Sequence, residues 1–431
     1  MEQQHRAVIV GAGIGGLTAA VALHRRGWQV TLLERATGLA PVGAGIALAP
    51  NAQRALDVID LGHRVRELSA WQGDGGMRTP GGRWLSRTDA KAAAARFGGP
   101  LVLLHRATLV DILTSALPEG IVRTGVTAAV TDPGDDHRPA RLALSDAGAT
   151  GRGEIEAELV VAADGIHSET RRTLFPGHPG PRYSGSTSWR VVVPAPARPF
   201  APHETWGAGR LWGSQPLKDG RVYAYAMAVA PAGAHAPDDE RAELLRLFGD
   251  WHHPVPEILA GVAPDRILRH DVHHLPDPLP AFHRGRVALL GDAAHAMMPS
   301  LGQGGNQAVE DAVVLAHHAR TAPDFVPGRA LAAYTADRLP RTTAIVRKAA
   351  RTGAITMLSA RPAVALRAAA VGAVSRFGPG LALRGFDGIC DWNPPVDPVP
   401  PRPGTRPAPR KLTGANGPYG QGRRTTTRET P

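Results

Sequence analysis

The chain has 431 residues, 43% of them apolar and 20% charged, with a single cysteine, Cys390. This composition excludes collagen, coiled coil and chain-wide disorder, and one cysteine excludes both an intramolecular disulfide and a cysteine-rich zinc site. The net charge is +11, of which residues 401–431 carry +6, leaving +5 for the other 400 residues. No basic groove with interleaved aromatics accompanies it, so no specific nucleic-acid partner is expected. The N-terminal apolar run is only Ala7–Val10, and no stretch of about 18 apolar residues occurs. The expectation is a soluble, cytoplasmic monomer or homodimer without a transmembrane segment.

Arg6–Val10 reads as a buried parallel strand ending in Gly11, and Ile14–Arg26 as a helix stopped by Gly27. With a strand over Val30–Glu34, this is a βαβ unit. Helices follow at Asn51–Leu61 and Thr108–Leu117, then strands at Val122–Val130, Arg141–Ser145 and Glu154–Ala163. Alternation over Ser186–Pro194 and Arg221–Val229 predicts an antiparallel sheet, interrupted by a short helix over Asp238–Trp251. Arg286–Leu290 is again a buried strand, with helices at Gln303–Arg320, Gly328–Ala350 and Ala363–Phe377. Of the 39 residues 393–431, ten are Pro, five Gly and six apolar, which predicts a disordered basic tail.

Gly11, Gly13 and Gly16 fit G-x-G-x-x-G between the first strand and the first helix. Gly11 permits the turn, Gly13 lets a pyrophosphate approach, and Gly16 lets the helix sit close to the sheet. The N–H groups at the helix start, from Ile14, Gly15 and Gly16, then face the phosphate. Glu34 ends the second strand, where an acid meets ribose hydroxyls. The fingerprint alone does not separate FAD from NAD.

Two further apolar strands deliver Asp-Gly pairs to their ends: Leu159–Ala163 into Asp164-Gly165, and Arg286–Leu290 into Gly291-Asp292. The latter is followed by Pro299 and by Gly302-Gln303-Gly304-Gly305-Asn306. In this order and spacing, over roughly residues 5–392, the sequence resembles the single-component FAD-dependent aromatic hydroxylases of the p-hydroxybenzoate hydroxylase fold. It is most similar to the salicylate, 3-hydroxybenzoate 6-hydroxylase and urate hydroxylase branch. Gly43–Ile46 with Pro50-Asn51, His105–Leu109, Ser184–Arg190 and Asp391–Pro395 carry further likeness.

The resemblance implies an α/β fold: a Rossmann-like FAD-binding domain with a mixed sheet (1–71, 98–175 and 283–345) and an inserted antiparallel-sheet substrate domain (72–97 and 176–282). C-terminal helices over 346–392 complete it. It further implies that Asp292 serves the ribityl and pyrophosphate region, Glu34 the adenosine ribose, and Asp164 the pyrophosphate. Arg106 would reach the FAD, Gly302–Asn306 would lie along the flavin's pyrimidine edge, and Arg35, Gly45 and Val126 would also border the cofactor. NADH or NADPH would reduce the flavin, and O2 would form a C4a-hydroperoxide that hydroxylates or epoxidises a small aromatic or heterocyclic substrate.

Arg190 is the candidate substrate anchor, because a charge in mid-strand can pair with a carboxylate or phenolate, although an outer-face arginine also fits. Tyr223 and Tyr225 share a strand face and suit either pocket or core, and Trp206 and Trp212 are equally open. His252, His253, His270, His273 and His274 read as solvated loop histidines, not metal ligands. Arg347, Lys348, Arg351, Arg361, Arg367 and Arg376 form a basic stripe with a solvated face as the first reading and an anionic lipid surface as the second. The alternatives to a monooxygenase are a reductase or dehydrogenase on the same fold and a non-catalytic FAD-binding protein. A halogenase is disfavoured because no two tryptophans are separated by one residue.

Overall fold

The computed structural model describes residues 5–39, 44–69, 74–146, 152–320, 325–377 and 379–396. Residues from 397 onward lie outside the described residues, and with them the expectation of a disordered tail.

Apolar runs with no polar alternation are buried on both faces, and here they form a six-stranded sheet. Its order is His283–Arg284, Val287–Leu289, Leu159–Ala162, Arg6–Val10, Gln29–Glu34 and Val122–Thr124. All neighbours are parallel except the first pair. The helix Ile14–His24 is buried along Ile14–Leu23 because the sheet covers one side and the helix Gly304–His318 another. Thr18, fully buried, donates from Oγ1 to the Ile14 carbonyl at 2.7 Å.

Two expected strands each split where the chain changes sheet. Gly125, at φ 72°, ends Val122–Thr124 and starts Val126–Asp132, which begins a three-stranded antiparallel sheet with Ala140–Asp146 and Arg152–Ala157. Glu158 separates Arg152–Ala157 from Leu159–Ala162. The helix expected to end at Ala350 runs unbroken from Pro327 to Thr356, with Pro340 inside it.

A seven-stranded sheet draws on two separate segments: Leu268–His274, Arg182–Pro194, Arg221–Val229, Arg210–Pro216, His203–Trp206, Gly75–Arg78 and Trp84–Thr88, in that order. Its faces differ. Trp189, Val191, Trp212, Val222, Ala224 and Ala226 pack against Leu244, Phe248 and Trp251 behind the sheet. Leu211, Tyr225 and Met227 pack forward with Met297, Met298 and Trp206. His270, His273 and His274 belong to the edge strand, half-buried or exposed, and are not loop residues as the sequence suggested.

Candidate active site

The three glycine-bearing motifs are far apart in sequence and adjacent in space. Arg6–Val10, Leu159–Ala162 and Val287–Leu289 are neighbouring parallel strands, with Val10 opposite Ala162 and Ala162 opposite Leu289. Gly11, Asp164 and Gly291-Asp292 therefore leave the same carboxyl edge, where open α/β sheets bind ligands. Backbone bonds close the edge: Gly11 donates to the Leu33 carbonyl (2.8 Å), Ala163 to Val10 (2.9 Å) and Leu290 to Ala162 (3.0 Å).

Gly11 has φ 101°, and a Cβ there would meet the Ala163 carbonyl oxygen at 2.5 Å. At Gly16 a Cβ would lie 1.9 Å from the Gly11 carbonyl oxygen, which no relaxation of a flexible side chain can relieve. At Gly13 it would meet nothing within 4 Å, so the space over the turn is open toward the ligand side. The helix that starts there has no side-chain cap. Its free N–H groups are thus available to an anion. Glu34 accepts from Ala12 (2.8 Å) and Ala36 (2.9 Å), which fixes its carboxylate beside the turn, with Arg35 exposed next to it.

Asp164 accepts from the Thr170 amide at 3.1 Å with Oδ2, while its buried Oδ1 has no protein partner. An orphaned carboxylate oxygen beside an uncapped helix start and an open glycine turn fits the donor and acceptor needs of a dinucleotide. Asp292 is exposed at this edge, and its Oδ1 comes within 3.9 Å of where a Gly304 Cβ would stand. The helix Gly304–His318 also starts without a side-chain cap, preceded by the turn Pro299–Leu301 and by Gly302 at φ 62°.

Several candidates use their side chains within the protein. The Asn306 side chain accepts from Ala49 (2.8 Å) and donates to Ala47 (2.9 Å) and Gly302 (2.7 Å). The Gln303 oxygen accepts from Asn51 and Gln307, each at 3.1 Å. Both side chains clamp the loop, so only backbone groups of this stretch can face a ligand. Val126 packs its side chain into the core. Trp212 is corrected from the expected pocket: strand alternation turns it behind the sheet, in tilted contact with Phe248 at 5.4 Å between ring centroids, with Nε1 donating to Ser214.

Under the third motif lies an ionic cluster that the sequence reading missed. Arg338 reaches Asp311 Oδ1 and Glu310 Oε2, each at 2.6 Å, and Arg341 reaches Glu310 at 2.8 Å. Asp311 Oδ2 in turn accepts from the Gly291 amide (2.9 Å) and His295 Nε2 (2.5 Å). Burial raises the Asp311 carboxyl, but His295 and Arg338 outweigh it and hold it at about 2. The available signal was an acid pair inside an otherwise apolar helix, matched by Arg338 and Arg341 one turn apart.

Arg190 and Tyr223 lie on the forward face of the large sheet. Tyr223 is seated on the cofactor side: a Cβ at Gly45 would strike its ring at 2.4 Å, so glycine is required for this contact. Burial raises the Tyr223 phenol, and the nearby charge of Arg190 pulls it part of the way back. Burial also lowers Arg106, which feels Asp292 as a partner and Arg190 as a like charge. Arg106, Arg190, Tyr223 and Asp292 therefore form one electrostatic group. Beside it, burial raises the Glu204 carboxyl, which accepts from Tyr225 (2.8 Å) and from the Trp206 indole. The sequence reading missed Glu204, since a single acid in a four-residue strand carries no signal.

Parallel strands converging on an uncapped glycine turn, with a second sheet reaching it through the Gly45–Tyr223 contact, define a dinucleotide-binding protein. The chain belongs to the FAD-binding-domain family, whose model matches residues 4–349. It is 38% identical over 350 residues to the aurachin C monooxygenase/isomerase of Stigmatella aurantiaca, covering 81% of this chain and 88% of that one. It is 33% identical over 362 residues to 3-hydroxybenzoate 6-hydroxylase 1 of Aquipseudomonas alcaligenes (78% and 86% covered). The Klebsiella pneumoniae HpxO structure with FAD and uric acid superposes with a TM-score of 0.78 at 28% identity (90% and 96% covered). The chain is an FAD-dependent monooxygenase that uses NAD(P)H and O2 on a small aromatic or heterocyclic substrate, not a reductase on the same fold.

Proposed function

We propose that the substrate is an electron-rich aromatic or heterocyclic ring bearing an acidic oxygen (phenol, enol or carboxylate), anchored by Arg190 and Tyr223. One observation carries this: Arg190 is half-buried on the forward face, on the same side of the sheet as the tyrosine that seats on Gly45, and its charge bears on that phenol. Bound FAD, reduced by NAD(P)H, supplies with O2 the electrophilic oxygen. The chain's residues do the rest. Gly13, the helix starts at Ile14 and Gly304, Asp164 and Asp292 would hold the cofactor. Two cations, Arg106 and Arg190, face one carboxylate, Asp292, so the local field favours an ionised substrate oxygen. Ionisation pushes electron density into the ring and makes its carbon the better nucleophile. Leu211, Met227, Met297 and Met298 supply an apolar wall that excludes water.

The test is NADH and NADPH oxidation by the holoprotein with a panel of hydroxylated aromatics and heterocycles, each paired with its O-methyl ether, and mass detection of products. Acidic members should accelerate oxidation and return one oxygen atom heavier, and their ethers should not. Equal turnover of ethers would refute the anchor. Arg190→Ala should raise KM for acidic substrates by at least roughly tenfold, with Arg190→Lys intermediate.

A further inference from the structure

The helix Arg361–Phe377 turns an apolar stripe to the outside. Pro362, Ala365, Leu366, Ala369, Ala370, Ala373 and Val374 are all exposed, at the 3–4 spacing of a single helix face. Leu366 is 72% exposed and Val374 41%. At the border of its inner side, in line with Val374 two turns on, Arg367 holds it to the fold: it donates to the Ile355, Thr356 and Gly207 carbonyls and lies 5.4 Å from the Trp206 ring centroid. The helix is thus anchored on one side and apolar on the other. The preceding helix also carries Ile355, 53% exposed, near its end, before a bend of 116°.

Charge selects what can cover this face. Between Asp337 and Asp387 lie 49 residues with nine Arg or Lys and no Asp or Glu. Arg347, Arg351, Arg361 and Arg376 are exposed and have no carboxylate partner among the described residues. Arg361 and Arg376 stand at the two ends of the helix, and Arg347 and Arg351 in the last turns of the helix before it. A second copy of this chain would bring a like-charged face against it, at electrostatic cost. A layer that is apolar within and negative at its surface satisfies both features at once. No single helix among the described residues is long and apolar enough to cross a membrane, so the contact would lie in the plane of the surface.

We propose that the helix Arg361–Phe377, with the end of the helix before it, docks the enzyme on an anionic lipid bilayer. Leu366 and the exposed alanines beside it, Ala369 and Ala373, enter the acyl boundary, and Arg347, Arg351, Arg361 and Arg376 meet headgroup phosphates. Each such cation contributes about fivefold to partitioning at low salt.

The test is flotation of the full-length FAD-loaded enzyme with vesicles of phosphatidylcholine alone or mixed with phosphatidylglycerol. Binding to the mixed vesicles only, weakened by salt, is expected. Leu366→Asp with Ala369→Asp should lower the partition coefficient by at least roughly tenfold while flavin content and turnover stay at the parent level. Arg361→Gln with Arg376→Gln should lower it as well and flatten the salt dependence. Three results overturn the proposal. One is no flotation at any composition. Another is flotation unaffected by the aspartates, which assigns binding to the basic C-terminal sequence. The third is a concentration-dependent dimer, by light scattering, that the aspartates dissolve, which makes the face a self-association surface.

Discussion

Replacing Arg338 with methionine tests whether the buried ionic cluster holds up the third motif. Arg338 is 1% exposed, Asp311 and Glu310 fully buried, and the guanidinium bonds both acids at 2.6 Å. Glu310 keeps Arg341 after the substitution, but Asp311 keeps only His295 and the Gly291 amide. A buried carboxylate stripped of its main cation costs about 3–5 kcal/mol. The native-state preference provides a second measure. The Asp311 carboxyl is held at about 2 against an ordinary value of 3.8, equivalent to about 2 kcal/mol. The sign follows from a depressed carboxyl: that stability is fully present above about pH 4 and is lost as pH falls through about 2. Urea unfolding of the holoenzyme, followed by far-UV circular dichroism and flavin release, reads the loss. Asp311→Asn in the Arg338→Met background should restore most of it, because the charge is gone and an acceptor for Gly291 remains. A loss below about 1 kcal/mol, or no rescue by Asp311→Asn, would refute the reasoning.

Gly16→Ala should yield destabilised, colourless protein, since the new methyl meets a backbone oxygen, whereas Gly13→Ala should leave apoprotein stability intact and weaken FAD binding, read by flavin absorbance and thermal unfolding. His203 predicts an acid-sensitive fold. It is 1% exposed, and burial holds it at about 4 against an ordinary 6.5, with His252 and Arg78 adding to the effect. A depressed histidine stabilises above pH 6.5, and about 3 kcal/mol is lost as pH falls from 6.5 to about 4. Melting temperature against pH should slope over that window in the parent and flatten in His203→Gln. Tyr223→Phe should raise KM for acidic substrates less than Arg190→Ala does, as it removes a neutral partner and leaves the charge; the same turnover assay reads both.

The cofactor edge was legible because each motif carries its own local grammar: an apolar strand, a glycine that only a special backbone or close approach requires, and a helix start. Strand adjacency among Arg6–Val10, Leu159–Ala162 and Val287–Leu289 follows from that repeated pattern. Face assignment in the large sheet was not legible for Trp212, since an isolated aromatic in a strand reads the same on either side until its neighbours are known. What the side chains of Gln303 and Asn306 do was not legible for a related reason. Motif membership marks a backbone path, and the path here is held by those very side chains. Glu310 and Arg338 were hidden because long-range ion pairs leave no periodic trace.

The hairpin Gly75–Arg78 and Trp84–Thr88 finds its sheet partner only at His203–Trp206, roughly 120 residues downstream. During synthesis it must wait about 6–24 s, at the usual rate of chain growth, with an unpaired edge. Arg78 and Arg87 flank Trp84, at 3.9 and 5.1 Å from its ring centroid. Two cations on the one large aromatic of that hairpin are the kind of guard that keeps a nascent edge from sticking to neighbouring chains.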